Sequence, residues 1–140
     1  MLFSRFHIYI RNSYSHCGYN LTVSLGQPES FLPLTPAVLH VLLSLVEGER
    51  HGYAIMREVE AQTNRQVKMG PGTLYGTLSR LRASGLVEES EEKPDPDRKD
   101  VRRRYYCLTD LGEKVVRAET ARLRRIVELP TVQRLISEGI

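Results

Sequence analysis

Leu74, Leu78 and Leu81 recur at spacings of four and three inside GPGTLYGTLSRLRASGLVEES, residues Gly70 to Ser90. At about 100° per residue these leucines share one side of a helix. Pro71 stands where helices accept proline, at the first helical position, and Gly85 marks the end. With the leucines turned inward, Thr73, Gly76, Ser79, Arg80 and Ala83 face outward. That outward surface is small, polar and basic, and the helix carries no acid. A helix of this kind is expected to bury one side and bring the other close to an anionic surface.

The surrounding chain gives this helix its context. LTPAVLHVLLSLVEGER has a capping Thr35, Pro36 at the first helical position and apolar residues on nearly all sides, so a central core helix is expected, ended by Gly48. His40 in that run has no partner at metal spacing and reads as a core or boundary histidine. A second helix follows in GYAIMREVEAQT, with Ile55, Met56 and Val59 on one stripe, then an extended stretch from Arg65 to Met69. Leu86 and Val87 begin a short strand, and RYYCL forms another. The charged segment between them, with Pro94 and Pro96, is expected to be the long tip of a hairpin. Thr109 caps a long helix with Asp110 and Glu113 in its first turn; it runs to about Glu128, where Pro130 stops it and a short tail follows. Residues 1–33 show no sustained period and are expected to form a disordered extension.

The 140 residues suffice for one domain with appendages, and no window is apolar enough to span a membrane. The first twenty residues are not expected to act as a signal peptide, since Arg5, His7 and Arg11 interrupt their apolar run. Cys17 and Cys107 are too far apart for a disulfide framework or a zinc spacing, so reduced thiols and a cytoplasmic protein are expected. Net charge is only +3, but its distribution is uneven. Four basic residues and no acid lie between Ala61 and Val87; ten basic residues and four acids lie between Arg98 and Arg125; an acidic run from Glu88 to Asp97 separates them. Such local basic surfaces fit an anionic partner met on one face, or else a charge-mixed solvated surface. No nucleophile–histidine or paired-carboxylate arrangement indicates an enzyme, and no cofactor is implied. GPGT lacks the lysine of a phosphate-binding loop.

Three short helices, a hairpin and a long helix give a mainly α fold with a small β-hairpin, in the order of a winged helix-turn-helix. In that module the third helix enters the major groove and the hairpin tip, the wing, reaches the neighbouring backbone. The motifs His51-Gly52-Tyr53, Gly72-Thr73-Leu74-Tyr75, Arg80-Leu81, Gly85-Leu86, Tyr105-Tyr106, Leu108-Thr109 and Gly112 occur in this order. Over about Leu34 to Glu128 they resemble the PadR family of bacterial transcriptional regulators. Gly76 departs from the proline of many members, which should loosen the helix slightly. The resemblance implies a dimeric repressor of the small subfamily, with a winged-helix domain over 34–108 and one dimerisation helix within 109–140. It also admits a small aromatic or drug-like effector at the dimer interface.

Double-stranded DNA is thus the expected partner, with a rival reading as a winged-helix protein-interaction module. Thr73, Gly76, Ser79 and Arg80 are the candidate reading residues. Tyr53 and Tyr75 are suited either to phosphate contact or to a boundary core with a wet hydroxyl. Arg102, Arg103 and Arg104 are suited to the DNA backbone or minor groove, or to neutralising the acids of the wing. On the long helix Leu111, Val115, Ala118, Ile126 and Leu129 make one apolar stripe, and Val116, Leu123 and Val127 a second, more than about 100° away. The second stripe is expected to meet its copy in a homodimer.

Overall fold

The computed structural model describes residues 26–91, 93–94, 97–98 and 102–139. Helix α1, Pro36–Ser44, starts as its sequence dictates, with the Thr35 hydroxyl accepting from the Val38 N–H at 3.4 Å. It ends four residues before Gly48, with Val41, Leu42 and Ser44 buried, Ala37 to His40 and Leu43 half-buried, and Val46 beyond it exposed. Strand β1, Arg50–His51, leads into α2, Gly52–Gln62. The expected extended stretch at Arg65 begins instead as a turn, in which Asn64 and Arg65 take φ of 50° and 63° and the Arg65 N–H closes on the Glu60 carbonyl. Helix α3, Pro71–Ala83, buries Leu74, Leu78 and Leu81 against Val41, Leu42, Ile55 and Val59.

The hairpin contains β2, Val87–Glu89, and β5, Tyr105–Leu108, paired antiparallel with Val87 opposite Leu108 and Glu89 opposite Tyr106. Strand β1 adds to the far edge of β5, so the sheet has three strands in the order β1-β5-β2. Nothing in the two residues of β1 has a strand period, so only tertiary pairing could define it. The charged wing carries its own two-residue ladder, β3 Lys93–Pro94 against β4 Arg102–Arg103. Of the two cysteines, Cys107 stands on β5, and Cys17 lies outside the described residues.

Helix α4, Asp110–Val127, is joined to the winged part by close backbone contact. The Thr109 hydroxyl donates to the Gly85 carbonyl at 2.6 Å and accepts from the Gly112 N–H at 3.0 Å. A Cβ at position 112 would fall 2.0 Å from the Leu86 carbonyl oxygen, so only glycine fits. Leu111, Val115 and Val116 enter the same core as α1 to α3, so the first half of α4 belongs to the winged domain. The chain does not end in a tail: Pro130 opens a further helix, α5, Pro130–Glu138, as a proline at the first helical position does.

Residues 1–25 of the expected disordered extension lie outside the described residues. Its last part is ordered: Pro28–Phe31 form a 3₁₀ turn against α4, and Phe31, Leu32 and Leu34 pack on the core. Glu119 on α4, 1% exposed, fastens this segment. It accepts from the Leu34 N–H at 3.2 Å and from Arg122 at 2.7 and 2.8 Å. The Arg122 hydrogen bonds hold its carboxyl below the usual carboxylate range against the opposing effect of burial.

Three substitutions test this packing. Gly112→Ala should cost about 3 kcal/mol or more, because the obstacle is backbone. Gly76→Ala, where an added Cβ meets nothing within 4 Å, should instead stabilise by up to about 1 kcal/mol through helix propensity; urea titration of both checks the opposite signs. A carboxylate whose pKa is lowered on folding contributes stability above its unfolded pKa and loses it as pH falls through the folded value. Glu119→Gln should therefore destabilise by about 1–3 kcal/mol at pH 7, with the deficit shrinking below the ordinary carboxylate range of about pH 4. A deficit independent of pH between 7 and 3 would contradict it.

Candidate nucleic-acid interface

The outward surface of α3 is set by its buried leucines. Thr73, Tyr75, Ser79 and Arg80 are exposed, while Gly76 is half-buried. Thr77 faces the core and is buried; its hydroxyl accepts from Arg80 Nη2 at 3.3 Å. The helix starts with Gly70 as N-cap, Pro71 next, no acid in its first turn and no side-chain cap, so its opening N–H groups are not capped by a side chain.

Beside this helix lies a groove of about 390 Å³, lined by His51, Gly52, Tyr75, Arg102, Arg103, Arg104 and Tyr106. Gly52 opens it from below: a Cβ there would meet the Tyr75 hydroxyl at 2.6 Å, so the ring of Tyr75 lies directly over the start of α2. His51 caps α2, its Nδ1 accepting from the Ala54 N–H at 3.2 Å. Tyr106 forms the buried wall, and burial, reinforced by the charge of Glu89, pushes its hydroxyl above the usual tyrosine pKa. Tyr53, half-exposed, has the Arg57 and Arg103 guanidiniums 5.9 and 5.8 Å from its ring centre. Tyr53, Tyr75 and Arg102 to Arg104 are therefore gathered around the wing and the start of α2, next to the exposed side of α3.

Glutamates in and beside the wing pair with its cations. Glu89 meets Arg82 at 2.6 Å and Arg104 at 3.4 Å, and Glu49 pairs with Lys93 on the wing. Sequence reasoning missed Arg57, Arg82, Glu89 and Tyr106 as parts of the site. Their signal is cross-strand register and the α2-to-wing contact, neither of which has a local period. His51 and Gly52 were visible only as a motif.

The three dimerisation candidates separate. Val116 is buried in its own chain, which removes it from any interface. Leu123 is half-buried and Val127 is 49% exposed. Ile126 and Leu129, assigned to the stripe covering the domain, are exposed as well. Burial thus changes along the helix axis in both stripes: the first half of α4 covers its own core, and the second half presents Ile126, Val127 and Leu129 to solvent. Leu135 and Ile136 on α5 are also exposed.

Among the described residues, no helix is long and apolar enough to cross a membrane, and no cluster of His, Cys, Asp and Glu is arranged to hold a metal. Residues 38–118 match the model of the Transcriptional regulator PadR-like family. A 37.1 kDa uncharacterized protein in transposon TN4556 of Streptomyces fradiae is 38% identical over 90 residues, 64% of this chain and 24% of its own length. The chain thus spans about a quarter of that relative. Transcriptional regulator Rv3488 of Mycobacterium tuberculosis is 34% identical over 90 residues, 64% of this chain and 74% of its own. The structure of the hsRosR-S4 complex, from H. salinarum, superposes with a TM-score of 0.59 at 28% identity, covering 80% of this chain and 91% of that one. With a winged-helix fold, the family's motifs in order and a family match over more than half its length, this chain belongs to the PadR-like family of transcriptional regulators.

Proposed function

We propose that this protein is a cytoplasmic, sequence-specific double-stranded DNA-binding regulator that acts as a repressor, binding a palindromic operator as a homodimer. The observation that carries the proposal is the pairing of two surfaces on one side of the molecule. One is the acid-free exposed face of α3, and the other is the groove lined by Arg102, Arg103 and Arg104. The rival reading, a protein-interaction module, calls for apolar residues on that helix face; Thr73, Ser79 and Arg80 stand there instead.

Arg80 reads base edges in this proposal, and Thr73, Gly76 and Ser79 let the helix approach the groove floor. Tyr53 and Tyr75 donate to phosphate, and the wing arginines hold the backbone. Removing a base-reading arginine costs about 1–3 kcal/mol and relaxes specificity, whereas removing a phosphate contact weakens all sequences alike. Arg80→Ala should lower the ratio of operator to scrambled-duplex affinity, measured on the protein's own upstream DNA by fluorescence anisotropy. Arg103→Ala should leave that ratio unchanged and reduce the salt slope by about one unit. An intact ratio in Arg80→Ala would reject α3 as the reader.

The dimer is proposed to form through the apolar second half of α4 together with α5. Exposed Ile126, Val127, Leu129, Leu135 and Ile136 lie close in sequence, which a monomer in water would leave uncovered. Two copies meeting there would also wall the space for an apolar effector. Val127→Glu combined with Leu135→Glu should give a monomer by light scattering and abolish operator binding, with the thermal melt of the winged core retained. A wild-type monomer at micromolar concentration would sink the dimer.

A further inference from the structure

Glu89 occupies the last position of β2, opposite Tyr106 on β5. Its side chain is 18% exposed and reaches two cations from different elements. Oε2 lies 2.6 Å from Arg82 Nη1, in the last turn of α3. Oε1 lies 3.4 Å from Arg104 Nε, at the edge of the arginine-lined groove. The two arginine side chains are 50% and 61% exposed, so each also faces solvent on the side of α3 and the wing.

A carboxylate and a phosphodiester offer a guanidinium the same kind of acceptor, two anionic oxygens within reach of one planar fork. DNA that settles on α3 and the wing therefore meets two arginines already engaged by an internal anion. Sequence-independent binding consists almost entirely of phosphate contacts and grows with the number of cations free to make them.

We propose that Glu89 limits sequence-independent DNA affinity by holding Arg82 and Arg104 in an intramolecular ion-pair cluster that persists on DNA and keeps both guanidiniums from the phosphates. This rests on the DNA-binding reading above. It makes Glu89 a positioning residue, acting through the two arginines and not on DNA itself.

The test is random-sequence duplex binding across salt for the full chain, Glu89→Gln, Arg82→Gln and the double variant. Each freed phosphate contact steepens the slope of log affinity against log salt by about 0.9. Glu89→Gln should therefore bind random DNA more tightly, with a slope steeper by one to two units. Between 200 and 50 mM salt its advantage should grow roughly tenfold for two contacts. Adding Arg82→Gln to Glu89→Gln should remove about one unit again. Arg82→Gln alone should leave the slope unchanged, since that guanidinium is already held. This single variant keeps the proposal testable if Glu89→Gln proves unfolded by circular dichroism. An unchanged or shallower slope in folded Glu89→Gln, or the loss of a full unit in Arg82→Gln alone, would make Glu89 a structural brace of the wing and overturn the proposal. Absence of DNA binding by the unmodified chain would instead sink the DNA reading itself.

Discussion

The approach of α4 to the Leu86 carbonyl is the constraint on which the rest of the structure depends. It brings the helix so near the chain leaving α3 that no side chain fits at position 112. Thr109 uses one hydroxyl to cap α4 and to hold the Gly85 carbonyl. Its N–H takes the Leu86 carbonyl at 3.1 Å. With α4 pinned there, Leu111, Val115 and Val116 fall onto the core made by α1, α2 and α3. The inward lean of Leu74, Leu78 and Leu81, and so the outward exposure of Thr73, Ser79 and Arg80, follows from where that core sits.

The parts of this arrangement with a strong local period were legible in the sequence. The leucine spacing of α3 gave its buried side, and Thr35, Pro36, Thr109 and Pro71 marked helix starts where they occur. What was hidden depends on contacts between distant residues. Strand β1 exists only because Arg50 and His51 pair with Tyr106 and Tyr105. The segment Pro28–Phe31 has no pattern of its own and is ordered by α4. Val116 lies on the sequence stripe assigned to a partner, yet periodicity gives an angle around a helix and says nothing of where along the axis the core stops. Pro130 ended one helix as expected, but the same residue type is favoured at a helix start, and the residues after it formed α5.

The distribution of charge has a similar lesson. The acidic run from Glu88 reads, in one dimension, as a repulsive neighbour of a DNA-binding surface. In three dimensions the strand geometry turns Glu89 toward Arg82 and Arg104, while Glu49, far away in sequence, takes Lys93. Among the described residues, Glu89 and Lys93 of the hairpin are thus matched by Arg82 and Glu49 from outside it and by Arg104 from within, and the net charge of its sequence is a poor guide to the surface it presents.

The fastening of the N-terminal segment by Glu119 has an evolutionary corollary. The donor at Leu34 is its main-chain N–H, which every residue type except proline supplies. The hydrogen bond therefore places no demand on the side chain at position 34, and substitutions there are filtered only by apolar packing. Prolines already stand at 33 and 36, so a proline at 34 would extend a composition natural to this segment and yet remove the donor. On the α4 side the requirement is strict, because the acceptor is a single carboxylate. Drift should accumulate freely on one partner of this contact and scarcely at all on the other, leaving no paired variation by which an alignment could detect that the two residues touch.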